Sequence, residues 1–173
     1  PLSLDTPTAD FSEQPAMSVE DTLAAMQMGA DAIPDDADLI LPGEMGIGNT
    51  TAAAAISYAL FGGEAADWVG RGTGLDDAGA ARKAEVIAKA LDVNAPDGPL
   101  EVLRCVGGRE VAAMAGAIAR ARVENIPVIL DGFICTAAAA ILTLDNPDAL
   151  EHCLIGHQSA EPGHQRLIAG LKM

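Results

Sequence analysis

The chain has 173 residues, a length typical of one globular domain, and half of them are hydrophobic although only 3% are aromatic. Ten basic and twenty-five acidic residues give a formal net charge of −15, so long-range repulsion argues against nucleic acid and anionic membranes as partners. No apolar run approaches the ~20 residues of a membrane helix, and no basic segment followed by an apolar stretch predicts a signal peptide.

The cysteines point to a reducing compartment. Cys105, Cys135 and Cys153 are odd in number, lie far apart and show no spacing typical of a metal site. We therefore expect reduced thiols, a cytoplasmic location and no metal.

The sequence predicts an irregular N-terminal segment followed by a helix. Three prolines interrupt residues 1–17, which we expect to be irregular, and residues 18–173 form the predicted core domain. Ser18 and Asp21 fit a capping box at the start of a helix that Gly29 is expected to end.

A unit of strand, small polar loop and helix then recurs four times. The predicted strands are residues 39–41, 68–69, 128–130 and 153–155, and the predicted helices are 52–61, 76–91, 110–122, 137–144 and one that begins near Gln165. Short apolar strands that alternate with helices predict an α/β fold, doubly wound, with a mostly parallel sheet and helices on both faces. Ligands bind beyond the carboxyl ends of such strands, where the polar loops would gather.

Residues 43–51 are the strongest candidate site. Three glycines there allow a close backbone approach to a ligand, and the polar residues that follow can cap the buried helix 52–61 or donate to an oxyanion. The glycines are Gly43, Gly46 and Gly48, and the polar residues are Asn49, Thr50 and Thr51. The helix start favours an anion, most simply a phosphate, whereas the alternative is a tight turn with an ordinary cap. The spacing matches neither the dinucleotide fingerprint nor the P-loop, so no nucleotide cofactor is specified.

Two further strand ends carry polar loops. Residues 70–74 alternate glycines and can form a nest of N–H groups near the cations Arg71 and Lys83, or a plain turn. Asp131 and Gly132 can bind sugar hydroxyls or form a common Asp-Gly turn.

The last loop, residues 157–164, concentrates polar side chains. His157, Ser159, Glu161 and His164 admit a hydrolase triad, a histidine metal site or a polar substrate-binding loop. No G-x-S-x-G elbow surrounds the serine, which favours the substrate-binding loop.

These motifs, in this order, resemble those of one enzyme family. Gly-Glu-Met-Gly-Ile-Gly-Asn-Thr-Thr at 43–51 closely resembles the signature of the nicotinate-nucleotide–dimethylbenzimidazole phosphoribosyltransferases. The segments 11–17, 70–76, 107–110, 131–133 and 157–163 are similar to further motifs of that family, so the resemblance covers nearly the whole chain.

The resemblance implies an activity and a site. Such enzymes transfer phosphoribose from nicotinate mononucleotide to 5,6-dimethylbenzimidazole, giving α-ribazole 5′-phosphate and nicotinate for the lower ligand of cobalamin. They are α/β homodimers that need no cofactor. The substrate-binding residues that the resemblance implies are Glu44, Gly46, Ile47, Gly48, Asn49, Thr50, Gly72, Thr73, Lys83, Asp131, Gly132 and Ser159. Lys83 and the first two loops would hold the phosphate, and Glu44 is a possible auxiliary near the ribose or the leaving group.

The sequence also departs from the family pattern. The family's general base is a glutamate in a Gly-Glu-Gly-Thr-Gly stretch, which is absent between Pro1 and Met173. We therefore expect a core fragment that lacks most of the small domain and is inactive by itself. The alternatives are a non-catalytic nucleotide- or azole-binding module of the same fold and a structural α/β domain without a ligand.

Overall fold

A computed structural model describes residues 6–70, 76–143, 146 and 148–173. The helices are α1 (Val19–Asp31), α2 (Thr50–Phe61), α3 (Asp77–Asn94), α4 (Pro99–Val106), α5 (Arg109–Val123), α6 (Phe133–Ala140) and α7 (Pro162–Leu171), with a 3₁₀ helix at Ala65–Trp68. The strands are β1 (Val128–Leu130) and β2 (Cys153–Ile155).

The sheet is small and parallel. β1 pairs with β2 in register from Val128 opposite Cys153 to Leu130 opposite Ile155. On the other edge of β1, Ile40 forms a parallel bridge with Val128. The α/β class and the parallel pairing are thus confirmed, but the predicted strand 39–41 is reduced to one bridge at Ile40.

Helix α1 begins where the sequence predicts and ends later. The Ser18 hydroxyl accepts a hydrogen bond of 3.0 Å from the Asp21 N–H, so the predicted cap is confirmed. The predicted end at Gly29 is wrong because α1 continues to Asp31. A side chain at Gly29 would overlap the backbone of Ala113 in α5, so this glycine serves a close helix crossing instead.

The prediction of a strand at residues 68–69 is wrong. Trp68 ends the 3₁₀ helix, and its indole N–H donates to the carbonyl of Gly62 at 2.8 Å, which folds the segment back on the end of α2. The Glu64 and Asp67 side chains cap each other's backbone in a capping box that starts this turn. These local bonds outweigh the strand preference of Trp68 and Val69.

Two helices begin earlier than predicted. Helix α6 starts at Phe133, directly after Gly132, whose φ of 95° suits glycine and lets the chain turn sharply out of β1. Helix α7 starts at Pro162, a first-turn position that tolerates a residue without an N–H. Both helices therefore begin immediately behind the polar loops that follow the strands.

The core is built mainly of alanine and aliphatic side chains. Residues 52–57 of α2 and all of α6 are buried, which agrees with the prediction of a buried helix at 52–61 for its first six residues. Residues 6–17 have no regular structure. Phe11, Ala16 and Met17 pack onto this core, and the N–H groups of Ala16 and Met17 donate to α4 carbonyls. Within the described residues, no helix combines the length and apolarity needed to cross a membrane.

Candidate functional site

The three strand ends of the sheet lead into the loops that the sequence singles out. Ile40 lies three residues before Gly43, where the first loop begins, β1 ends before Asp131, and β2 ends before Gly156. Because the strands are parallel, these loops meet at the same edge, as the sequence predicts.

The first loop is closed by its own glutamate. The Glu44 carboxylate accepts one hydrogen bond from the Gly46 N–H at 2.5 Å and another from the side-chain amide of Asn49. Gly48 turns the chain at a φ of 83° into α2. Asn49 has helical backbone angles and its side chain makes no cap on α2, while the Thr51 N–H donates to the carbonyl of Gly48.

Lys83 reaches this helix start from α3. Its ammonium donates a hydrogen bond of 2.8 Å to the hydroxyl of Thr50, the first residue of α2. Burial lowers the pKa of Lys83, while the negative charge of Glu161 acts in the opposite direction. An ammonium has three N–H donors, so the hydroxyl leaves two for an anion at the same place.

Glu161, in the last loop, lies against Gly70. Its carboxylate occupies the space beside Gly70 in which a side chain would lie. An open cleft of about 630 Å³ is lined by Gly70, Ala80 of α3, Glu161 and Pro162. The cleft therefore lies between Gly70, the last loop and the first turns of α3 and α7.

Asp131 pairs with a histidine of the neighbouring loop. Its carboxylate lies 2.5 Å from Nδ1 of His157, and both side chains are largely exposed. With Nδ1 on the carboxylate, Nε2 of His157 faces away from Asp131. The pair thus presents a carboxylate oxygen and a ring nitrogen beside Gly132, groups that can bind sugar hydroxyls.

Cys135 ties the first loop to the third. Its buried thiol lies 3.0 Å from the carbonyl of Pro42 and 3.2 Å from the carbonyl of Asp131, within donating distance of both. Burial raises the pKa of this thiol, which keeps it in the S–H form that can donate. Nothing in the sequence indicates this contact, because residues 42 and 135 lie far apart and share no motif.

Ser159 and His164 are in contact, but not as a hydrolase pair. The Ser159 hydroxyl lies 2.9 Å from Nδ1 of His164, and the other ring nitrogen lies 3.2 Å from the Thr136 hydroxyl. In a hydrolase triad an acid orients the histidine, whereas here a neutral hydroxyl takes that position. The arrangement therefore does not support the triad. Among the described residues, no group of three or more His, Cys, Asp or Glu side chains is arranged to hold a metal ion.

The predicted site residues divide into three groups. Residues of the first loop, Lys83 and the Asp131 loop lie around the carboxyl edge of the sheet, and the Ile47 side chain there is fully exposed. Ser159 lies at the same edge, with its hydroxyl directed toward buried His164. Gly72 and Thr73, together with Arg71, lie outside the described residues.

Comparison with known proteins gives one consistent result. Residues 2–173 match the sequence model of a family described as phosphoribosyltransferase. The chain is 62% identical over 170 residues to a nicotinate-nucleotide–dimethylbenzimidazole phosphoribosyltransferase from Ruegeria sp. (strain TM1040), covering 98% of this chain and 51% of that protein. It is 58% identical over 170 residues to the protein of the same name from Jannaschia sp. (strain CCS1), covering 97% and 50% respectively.

The solved structures agree with the sequence relatives. The crystal structure of CobT from Thermus thermophilus matches with a TM-score of 0.89 and 39% identity, over 95% of this chain and 51% of that one. The chain thus spans about half the length of the relatives it matches. It belongs to the family of nicotinate-nucleotide–dimethylbenzimidazole phosphoribosyltransferases.

Proposed function

We propose that this chain is the nucleotide-binding part of an enzyme that transfers phosphoribose from nicotinate mononucleotide to 5,6-dimethylbenzimidazole. The bond between ribose C1′ and the nicotinate nitrogen breaks, and a bond from C1′ to an azole nitrogen forms with inversion. A general base takes the azole proton, and the products are nicotinate and α-ribazole 5′-phosphate.

The contact between Lys83 and Thr50 carries this proposal. It places a partly buried cation at the start of a buried helix in a protein with a formal charge of −15. A dianionic 5′-phosphate fits such a place, because the helix N–H groups and the remaining ammonium donors can all point to its oxygens. The alternative of a tight turn with an ordinary cap is less well supported, because Asn49 does not cap α2.

The other loops supply groups suited to the sugar. Asp131, paired with His157, offers acceptors for the ribose hydroxyls, and Gly132 leaves room beside them. Glu44 lies in the same region, where its negative charge would favour the positive charge that develops at C1′ as nicotinate leaves. Ser159 contributes by holding the last loop, and Gly46, Ile47, Gly48, Gly72 and Thr73 remain proposed binding residues from the two glycine-rich loops.

Nucleotide binding tests the proposal directly. The melting temperature of this chain should rise with nicotinate mononucleotide and rise less with NAD or ATP at equal concentration. An absence of any shift at millimolar nicotinate mononucleotide would contradict the proposal. Transfer is tested separately, by chromatography for nicotinate release after dimethylbenzimidazole is added, with the product of the whole open reading frame, because residues 1–173 lack the Gly-Glu-Gly-Thr-Gly stretch.

A non-catalytic binding module is the second candidate. It predicts the same shift with nicotinate mononucleotide but no nicotinate release, even from the product of the whole open reading frame. The relatives are named as phosphoribosyltransferases, which favours the transferase over the non-catalytic binding module.

We propose a cytoplasmic homodimer that binds neither nucleic acid nor membrane, with residues 18–173 as its nucleotide-binding core. Three buried free thiols suit a reducing compartment, and the strong negative charge disfavours anionic partners.

A further inference from the structure

His164 is the one histidine whose side chain is fully buried among the three in the chain, all of which are described. It lies in the first turn of α7, with the Phe133 ring at 6.3 Å and the His157 ring at 5.8 Å between centroids. A buried imidazole must satisfy both of its nitrogens, and the partners here show how it does so.

The partners fix the position of the ring proton. Nδ1 lies 3.2 Å from the backbone N–H of Ser159, which can only donate, so Nδ1 must accept and carry no proton. The proton is then on Nε2 and is donated to the Thr136 hydroxyl at 3.2 Å. That hydroxyl in turn donates to the Gly132 carbonyl at 2.7 Å, which completes a chain with one consistent direction.

Ser159 lies at the other end of this series of hydrogen bonds. Its hydroxyl lies 2.9 Å from Nδ1 of His164, and it accepts the Glu161 N–H at 3.3 Å. The His164 imidazole therefore connects residues 159–161, through Thr136, to Gly132, which follows Asp131 at the end of β1. On either side of this anchor, His157 contacts Asp131 and Glu161 occupies the space beside Gly70.

We propose that His164 is a positioning residue for nucleotide binding: its neutral Nε2–H tautomer anchors the segment 157–161 so that His157 meets Asp131 and Glu161 faces Gly70 and Lys83. The ring itself is buried and does not touch the ligand. This proposal rests on the function proposed above, since the ligand concerned is nicotinate mononucleotide.

The tautomer can be observed without any ligand. Correlation of ring protons with ring nitrogens in the ¹⁵N-labelled chain should show three imidazoles, assigned through substitutions at His152, His157 and His164. We expect His164 to be neutral at pH 7, with Nε2 protonated and Nδ1 an acceptor, and the Ser159 amide to be protected from hydrogen exchange. A charged ring, an Nδ1–H tautomer or a rapidly exchanging Ser159 amide would overturn the proposal.

Two substitutions, His164→Asn and His164→Gln, distinguish the role of Nδ1 from the role of Nε2. In His164→Asn the amide oxygen can replace Nδ1 as the acceptor for Ser159, whereas in His164→Gln the amide nitrogen can replace Nε2 as the donor to Thr136. Because Gln leaves the Ser159 N–H without its acceptor, we expect it to weaken nicotinate mononucleotide binding about tenfold relative to Asn. The Ser159 amide should lose protection in the Gln variant and keep it in the Asn variant.

Leu167→Ala is the matched control for stability, because Leu167 is a fully buried residue of the same helix. It should lower the melting temperature without changing the nucleotide affinity measured well below that temperature. Equal loss of affinity in the Leu167 and His164 variants would show a merely structural role and overturn the proposal. If the wild-type chain fails to bind the nucleotide, the proposed function fails, while the tautomer and the Ser159 amide still decide whether His164 anchors the loop.

Discussion

The ammonium of Lys83 lies 2.8 Å from the hydroxyl of Thr50, and this contact joins the middle of α3 to the first turn of α2. It crosses 33 positions of sequence and places a positive charge where the partial positive end of a buried helix is already exposed. These two positive features both favour an anion at this place.

Removal of that charge should weaken nucleotide binding more than it changes stability. We expect Lys83→Gln to reduce the affinity for nicotinate mononucleotide about 10- to 100-fold, as is typical for loss of a hydrogen bond to a charged group. The melting temperature of the free chain should hold or rise, because burial already disfavours the charged form of Lys83. Titration calorimetry of the purified chain measures the affinity.

Lys89 provides the control on the same helix, since its side chain is exposed. Lys89→Gln should leave the affinity unchanged within about twofold. Equal effects of the two substitutions would indicate a general charge effect and contradict a phosphate site at Thr50.

The crossing of α1 and α5 should not tolerate a methyl group. Ala is favoured over Gly by about 1 kcal/mol inside a helix, yet a Cβ at Gly116 would overlap the backbone of Met26. We therefore expect Gly116→Ala to lower the free energy of unfolding by about 1–3 kcal/mol, as measured by urea denaturation. Gly43→Ala, which has open space around the new methyl, should cause little change.

The thiols should react slowly in the folded chain. All three are buried, and burial raises the pKa of Cys153 to about 11 and shifts the pKa of Cys105 and Cys135 in the same direction. Because the thiolate is the reactive form, an aromatic disulfide reagent at pH 8 should label the native chain slowly and all three thiols after unfolding. Rapid labelling of one native equivalent that disappears in Cys135→Ala would contradict the buried bridge between the first and third loops.

Acid should destabilise the fold in the range where histidine titrates. Burial lowers the pKa of His164 below its ordinary 6.5, with His157 lowering it further and Asp131 opposing, and burial also lowers the pKa of His152. The unfolded chain then binds more protons than the folded chain below about pH 6.5, so stability is full above that value and falls as the pH decreases. Urea denaturation from pH 7.5 to 5 measures the slope.

Substitution should identify the source of this slope. His164→Asn should flatten it and leave the smaller contribution of His152. A slope of the same size in that variant would show that protonation of His164 has no part in it.

Much of the fold follows from local patterns. Val128–Leu130 and Cys153–Ile155 appear as strands with the predicted bounds, because short apolar runs between turn signals have few other stable arrangements. The Ser18 cap and the buried α2 are equally local. The parallel order of these elements then places the polar loops at one edge.

What the sequence did not reveal depends on contacts between distant residues. The Gly29 interpretation failed because a glycine that ends a helix and one that admits a neighbouring backbone look the same in sequence. Thr136 and His164 lie 28 positions apart and meet only after α6 and α7 pack together. A single sequence also gives no sign that Trp68 would bond back to Gly62.

The closed form of the first loop has a kinetic consequence. Because Glu44 already collects the Gly46 N–H and the Asn49 amide, the segment has little conformational freedom left to lose when a ligand arrives. Encounter with the nucleotide then resembles the docking of two rigid bodies, limited by diffusion and orientation rather than by folding of the loop. In Glu44→Ala these two hydrogen bonds would be lost, so the loop would have to become ordered at each encounter. We therefore expect slower association with the nucleotide.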